Sequence, residues 1–215
     1  MFRVSDFMTK NPVTAEPSDR ISEVLDLMRL HNIHRIPVVN SKDELKGLIT
    51  EGMIAGQGNS ATSLSIHELN YLLSKTDVKT VMAKHVISIH ENNLMEEAAE
   101  KMLDEDIGCL PVLNEQDKVV GILTQNDIFK AFLEMLAWKS EGTRIILSLT
   151  EDIGVLAKLS SLIAQYNVSI KTISAYGRNG KEVRLLVKTA GFAPEALKNA
   201  LRKENYSVLE WENLS

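Results

Sequence analysis

The sequence predicts an α+β protein: two tandem β-α-β-β-α modules followed by a ferredoxin-like βαββαβ domain. Three observations predict it. Residues recur at a constant offset of 74 through the first part of the chain. The recurring positions include Pro, Gly and Thr and match without a gap, which scattered apolar matches would not do. From Thr143 the repeat stops, and a new alternation of strand and helix patterns begins around an Asn-Gly turn.

The repeat aligns Met8, Pro37-Val38, Gly47-Leu48-Ile49-Thr50 and Ile54 with Met82, Pro111-Val112, Gly121-Ile122-Leu123-Thr124 and Ile128. Each copy opens on a short apolar stretch, Pro12-Val13-Thr14 or the strand Val86-Ile87-Ser88-Ile89. An amphipathic helix follows, with Ile21, Val24, Leu25, Met28 or Met95, Ala98, Ala99, Met102 at helical spacing. Next come a strand (35–39 or 110–113), a polar turn (40–44 or 114–118) and a second strand (45–50 or 119–124). A closing helix begins near Met53 or Asp127. Between the copies, Gly56-Gln57-Gly58-Asn59-Ser60 reads as a loop. Ser65-Ile66-His67-Glu68 then gives a capping-box signal ahead of Leu69, Leu72 and Leu73, predicting a short connecting helix. Neither module has enough surface to bury alone, so the two are expected to pack sheet to sheet around a shared core.

In the last part, Arg144–Leu149 reads as a strand. Thr150-Glu151-Asp152 supplies caps and first-turn carboxylates to a helix that begins at Gly154. Val168–Ile173 alternates as a strand, and Asn179-Gly180 turns it into a partner strand, Glu182–Lys188. Pro194–Lys203 is a helix with Pro at its start, and Tyr206–Trp211 closes as a strand. The order βαββαβ is ferredoxin-like.

Residues 1 to about 139 resemble tandem CBS domains, a Bateman module, through the Met-x-x-x-Pro/Val starts, the Pro-Val strands and the Gly-h-h-Thr-x-x-Asp endings. Residues 143–213 resemble an ACT domain, with Glu151 in the place of the family's Asp and Gly154-Val155-Leu156 after it. The implied domains are 1–60, 78–139 and 143–213, with 61–77 as connecting loop and helix. The whole order resembles AcuB-type acetoin-utilisation proteins.

Composition sets the function classes. Of 215 residues, 44% are apolar and 25% charged, as in ordinary globular proteins. A net charge of −5 argues against nucleic-acid or membrane-surface binding. The one cysteine, Cys109, makes neither an intrachain disulfide nor a zinc site, so no metal is expected. The first residues lack the apolar core of a signal peptide, and no apolar run reaches the ~18 residues of a membrane span. A cytoplasmic protein is expected. His-Glu-x-x-His, Gly-x-Ser-x-Gly and Gly-x-Gly-x-x-Gly are all missing, so no catalytic residue is assigned and no enzyme is expected.

The candidate site is nucleotide-binding. Thr124 ends a strand and Asp127 starts a helix, so a hydroxyl and a carboxylate meet where ribose hydroxyls can be bound. The CBS resemblance implies that ribose role, while Asp127 reads equally as a helix cap. Met53 replaces the carboxylate in the first copy, which predicts unequal sites. Resemblance implies a phosphate contact for His34 and Arg35; a surface ion pair is the alternative. Lys10 and Lys84 are further phosphate candidates. Ile87 and Ser88 are candidates for an adenine slot, with ordinary core as the alternative. In the ACT-like part, Glu151, Gly154, Val155 and Leu156 are effector-site candidates.

The expected function is non-catalytic regulation. An adenine nucleotide (AMP, ADP or ATP) is the regulatory ligand and no cofactor is required. Binding is coupled to the ACT domain and to contacts with a second copy or a metabolic enzyme. The alternative is a dimeric scaffold for such an enzyme with no working nucleotide site.

Overall fold

The computed structural model describes residues 2–59 and 66–215, without the side chains of 57–59, 66–70, 178 and 179. It divides into two compact units, Met1–Phe129 and Lys130–Ser215.

The first unit contains both repeats. A short helix α1 (Val4–Phe7) and strand β1 (Thr9–Lys10) lead to α2 (Ile21–His31), β2 (Arg35–Val39), β3 (Leu45–Thr50) and α3 (Glu51–Asn59). The connecting helix is α4 (Ile66–Lys75); the capping role of Ser65 lies outside the described residues. A 3-10 turn at Val78–Thr80 opens the second copy. It continues as β4 (Ile89–His90), α5 (Met95–Asp104), β5 (Cys109–Leu113), β6 (Val119–Thr124) and α6 (Gln125–Met135).

Both hairpins obey one rule. Asn40 Oδ1 accepts the amides of Lys42 and Glu44, and Asn114 Oδ1 accepts those of Gln116 and Lys118, all at 3.0 Å. Asp43 and Asp117, which the repeat equates, both take positive φ.

The copies exchange their leading segments. β1 belongs to the first copy in sequence yet pairs with β6 of the second, giving the sheet order β1-β6-β5-β4. Reciprocally, Ala83 bridges to Leu48 of β3. The expected single shared core is corrected by this exchange. Buried residues of the first copy, among them Ile21, Val24, Ile36 and Ile49, form a cluster of their own, with Val78 from the second copy.

Two glycines mark the exchange. A methyl group on Gly47 would lie 2.6 Å from Met82 Sδ and 2.8 Å from the Ala83 carbonyl oxygen. One on Gly121 would lie 2.4 Å from Met8 Sδ but 3.2 Å from the Thr9 carbonyl oxygen. A thioether can swing aside and a paired carbonyl cannot. Gly47→Ala should therefore cost about 2–3 kcal/mol and Gly121→Ala about 1 kcal/mol in urea unfolding. Equal costs would contradict this account.

Two local expectations fail here. Gly56–Asn59 is not loop but the end of α3, because glycine weakens a helix without forbidding it and Ile54, 5% exposed, anchors the preceding turn. Val86-Ile87-Ser88 is not strand; the ladder starts at Ile89, and the Ser88 carbonyl accepts Lys101 Nζ at 3.2 Å instead.

The second unit begins within α6, at Lys130, and continues as β7 (Gly142–Thr150), α7 (Val155–Gln165), β8 (Ser169–Asn179), β9 (Glu182–Ala190), α8 (Glu195–Lys203) and β10 (Ser207–Leu214). The sheet order is β10-β7-β9-β8, antiparallel throughout. This is the predicted βαββαβ arrangement. Alternation turns Ile145, Leu147, Leu149, Val183, Leu185 and Val187 toward α7 and α8, where they join Leu159, Ile163, Leu197 and Leu201 in the core. Gly180, at φ +61°, makes the expected turn between β8 and β9.

The helix starts are corrected. Gly154 precedes α7 as its cap, at φ +84°, so Thr150-Glu151-Asp152 lie upstream and α7 has no acid in its first turn. Pro194 likewise stands one residue before α8.

Candidate functional site

The site is built around the start of α6. β6 ends at Thr124, and Asp127 occupies the third position of the helix. Asp127 Oδ2 accepts the Thr124 amide at 2.9 Å and the Thr124 hydroxyl at 2.7 Å. The amide bond is a reach-back cap, which satisfies a donor the helix cannot. Three other helices do the same: Asp6 accepts from Arg3, Glu23 from Arg20, and Glu97 from Leu94. Those three acids are exposed, whereas Asp127 is 4% exposed and also holds a hydroxyl. Capping explains the first bond and does not require the burial.

The first copy differs at this junction. At the position of Asp127 stands Met53, whose amide donates to Thr50 Oγ1 at 3.2 Å. Thr50 thus spends its oxygen as an acceptor for the helix, where Thr124 donates to a carboxylate.

His34 and Arg35 part company. His34 is exposed and forms an ion pair with Glu51, Nδ1 to Oε2 at 2.7 Å, when its ring is protonated. Arg35 starts β2 and reaches the second copy. A methyl group on Gly108 would lie 3.1 Å from Arg35 Nη2 and 3.6 Å from Gln125 Oε1. Gly108 therefore leaves the room that the guanidinium fills, and the Gln125 amide donates to the Gly108 carbonyl at 3.3 Å. No carboxylate among the described residues pairs with Arg35. Its charge acts on Cys109, where burial pushes the thiol pKa up and Arg35 draws it partly back.

The structure thus brings Arg35 of one copy beside Gln125, the first residue of α6, in the turn that holds Asp127. That neighbour could not be found from spacing, because the offset of 74 relates equivalent positions and not touching ones. Ile87 and Ser88 are half-buried ahead of β4, and Lys10 and Lys84 are exposed.

In the second unit, Glu151, Gly154, Val155 and Leu156 are brought together. All four line one depression of about 280 Å³, floored by Leu149, Val183 and Leu185. Leu156 is 49% exposed, and the exposed acids Glu151 and Asp152 share the rim with it. No group of three or more His, Cys, Asp or Glu among the described residues is placed to hold a metal ion. No described helix is long and apolar enough to cross a membrane.

Comparison with known proteins follows the same division. The CBS domain family model matches residues 4–56 and 78–134. A solved protein assigned as the acetoin utilization protein AcuB of Vibrio cholerae is similar at TM-score 0.54 and 27% identity, over 64% of this chain and 94% of that one. The CBS domain pair of protein MJ0100, solved with 5′-methylthioadenosine and S-adenosyl-L-methionine, is similar at TM-score 0.52 and 30% identity, over 60% and 98%. CBSX2 of Arabidopsis thaliana, solved in complex with AMP, is similar at TM-score 0.52 and 26% identity, over 62% and 98%. The chain spans 23% to 46% of the length of the first curated relatives it matches, all from Methanocaldococcus jannaschii. Two of these three are enzymes, and the similarity to each covers 60% of this chain.

Proposed function

The chain belongs to the CBS domain family, and on that premise we propose that its domain pair senses an adenine nucleotide at the start of α6. One observation carries the reading. Arg35, a half-buried cation with no carboxylate partner among the described residues, stands beside Gln125 in the same helix turn as Asp127. A nucleotide presents an anion and a vicinal diol together. Arg35 would take the phosphate, with its paired donors, and Thr124 and Asp127 the ribose. The ligands in the solved MJ0100 pair and CBSX2 complexes share an adenosyl group, which supports the adenine assignment.

The reading extends to regulation without catalysis. A nucleotide that binds one arrangement of the pair better than another shifts the population toward it. α6 carries Asp127 in its first turn, and its later residues, from Lys130 on, belong to the second unit. We assign that unit, 143–213, as an ACT domain; the βαββαβ order and the Glu151-x-x-Gly154 turn support it. Phe129 and Phe132, 61% and 52% exposed one turn apart on α6, form an apolar strip that suits pairing with a second copy. The free, buried thiol of Cys109 fits a reducing cytoplasm.

Calorimetric titration tests the reading with AMP, ADP, ATP, S-adenosylmethionine and adenosine. Arg35→Gln should weaken the phosphorylated ligands about tenfold or more and leave adenosine unchanged. Asp127→Ala should weaken all of them. If none of the five binds saturably, the nucleotide reading falls and the dimeric scaffold takes its place.

A further inference from the structure

We infer that the second unit holds a site for a small apolar monocarboxylate, in a cavity of about 290 Å³ between the end of α6 and the outer face of the sheet, with the Lys188 ammonium as its anion contact. The inference is independent of the nucleotide reading and rests on different residues.

The argument starts from strand alternation. Val187 faces the helices, so Lys188 on β9 and Arg144 on β7 face the other way. A lysine on an open sheet face extends into water. Lys188 is instead 1% exposed. Its Nζ donates to the Gly142 carbonyl at 3.1 Å, and its other two N–H groups have no acceptor among the described residues. Arg144 cannot share a counter-charge with it, being engaged with Glu210 at 2.6 Å and Glu212 at 3.9 Å.

The walls are apolar. Leu133, Leu136 and Trp138 stand on one side and Leu186 on the other. A buried, incompletely bonded cation against apolar walls is the complement of a carboxylate bearing a short hydrocarbon chain. The volume lies at the small end of the range for ligand pockets, about 300–1,000 Å³, which limits the chain to a few carbons. A phosphate ester or dianion would bury a second charge with nothing to meet it. Burial first, then the charges of Lys171 and Arg144, lowers the Lys188 pKa.

Trp138 reports on the site, and Trp211 is the only other tryptophan. In the full chain carrying Trp211→Phe, hexanoate should change the Trp138 emission saturably. Hexan-1-ol, equal in carbon number and uncharged, should bind about tenfold more weakly or worse. Lys188→Met should bring the two within about twofold. Leu136→Phe keeps Lys188 but fills the cavity, and should abolish the hexanoate response while melting as a folded protein. No saturable response to hexanoate, equal binding of acid and alcohol, or native binding by either variant would overturn the inference.

Discussion

Gly142→Ala should cost the second unit more than about 4 kcal/mol, or prevent its folding altogether. A methyl group there would lie 2.0 Å from the Thr189 carbonyl oxygen and 3.1 Å from that of Gly191. Both atoms are backbone. Thr189 is fully buried, so nothing can swing aside. The backbone at Gly142 also sits at φ +146°, where a side chain is strained even in open space. Gly191→Ala separates the two effects. It too has positive φ, at +82°, but nothing lies within 4 Å of the added methyl. It should cost only the conformational penalty, about 1–2 kcal/mol. Urea unfolding followed by far-ultraviolet circular dichroism gives both values. A Gly142→Ala chain within about 1 kcal/mol of the native one would show that β7 can begin elsewhere.

Gly142 also shows where sequence reading stops. The strand after Thr143 was legible from its apolar alternation, as were both hairpins of the repeats from their polar turns. Those signals are local: they depend on which residues stand two or four apart. Crowding at Gly142 comes from residues 47 and 49 positions later, and no periodicity carries it. The exchange of β1 into the second copy's sheet was hidden for the same reason. Thr9-Lys10 is two residues long, and nothing in so short a segment specifies a partner.

The candidate site divides along the same line. Thr124 and Asp127 were legible because only two residues separate them across one strand-to-helix junction. The inequality of the copies was legible at Met53. His34 and Arg35 form one basic pair in sequence, yet only Arg35 reaches the other copy, while His34 turns to Glu51. Arg35 is the first residue of β2, whereas His34 lies just before the strand and next to the start of α3, where Glu51 stands. Lys188 raised no signal at all. It continues the in-out alternation of β9 as an outward residue, and only the end of α6 makes outward mean buried.

Lys188→Met should stabilise the chain near neutral pH by about 1–3 kcal/mol, and the gain should shrink as pH rises. The native side chain is 1% exposed and has one backbone acceptor. Burial first, then the charges of Lys171 and Arg144, hold its pKa below the ordinary value of 10.5. Below the folded-state pKa, lysine is charged in both states, and the folded state bears the whole cost of burying the ammonium. Above it, the folded chain has released a proton that the unfolded chain still holds. The unfolded state then binds more protons, so native stability rises with pH until lysine titrates in the unfolded chain as well. Methionine does not titrate and lacks this rise. Tyr206 and Cys109, both with raised pKa values, titrate at high pH too, but they are present in both chains and cancel in the difference. Native and variant stabilities, measured by urea unfolding from pH 6 to pH 10.5, should therefore converge from below. A constant difference would mean that Lys188 loses no more on burial as a cation than as an amine, and that the cavity beside it already supplies the counter-charge.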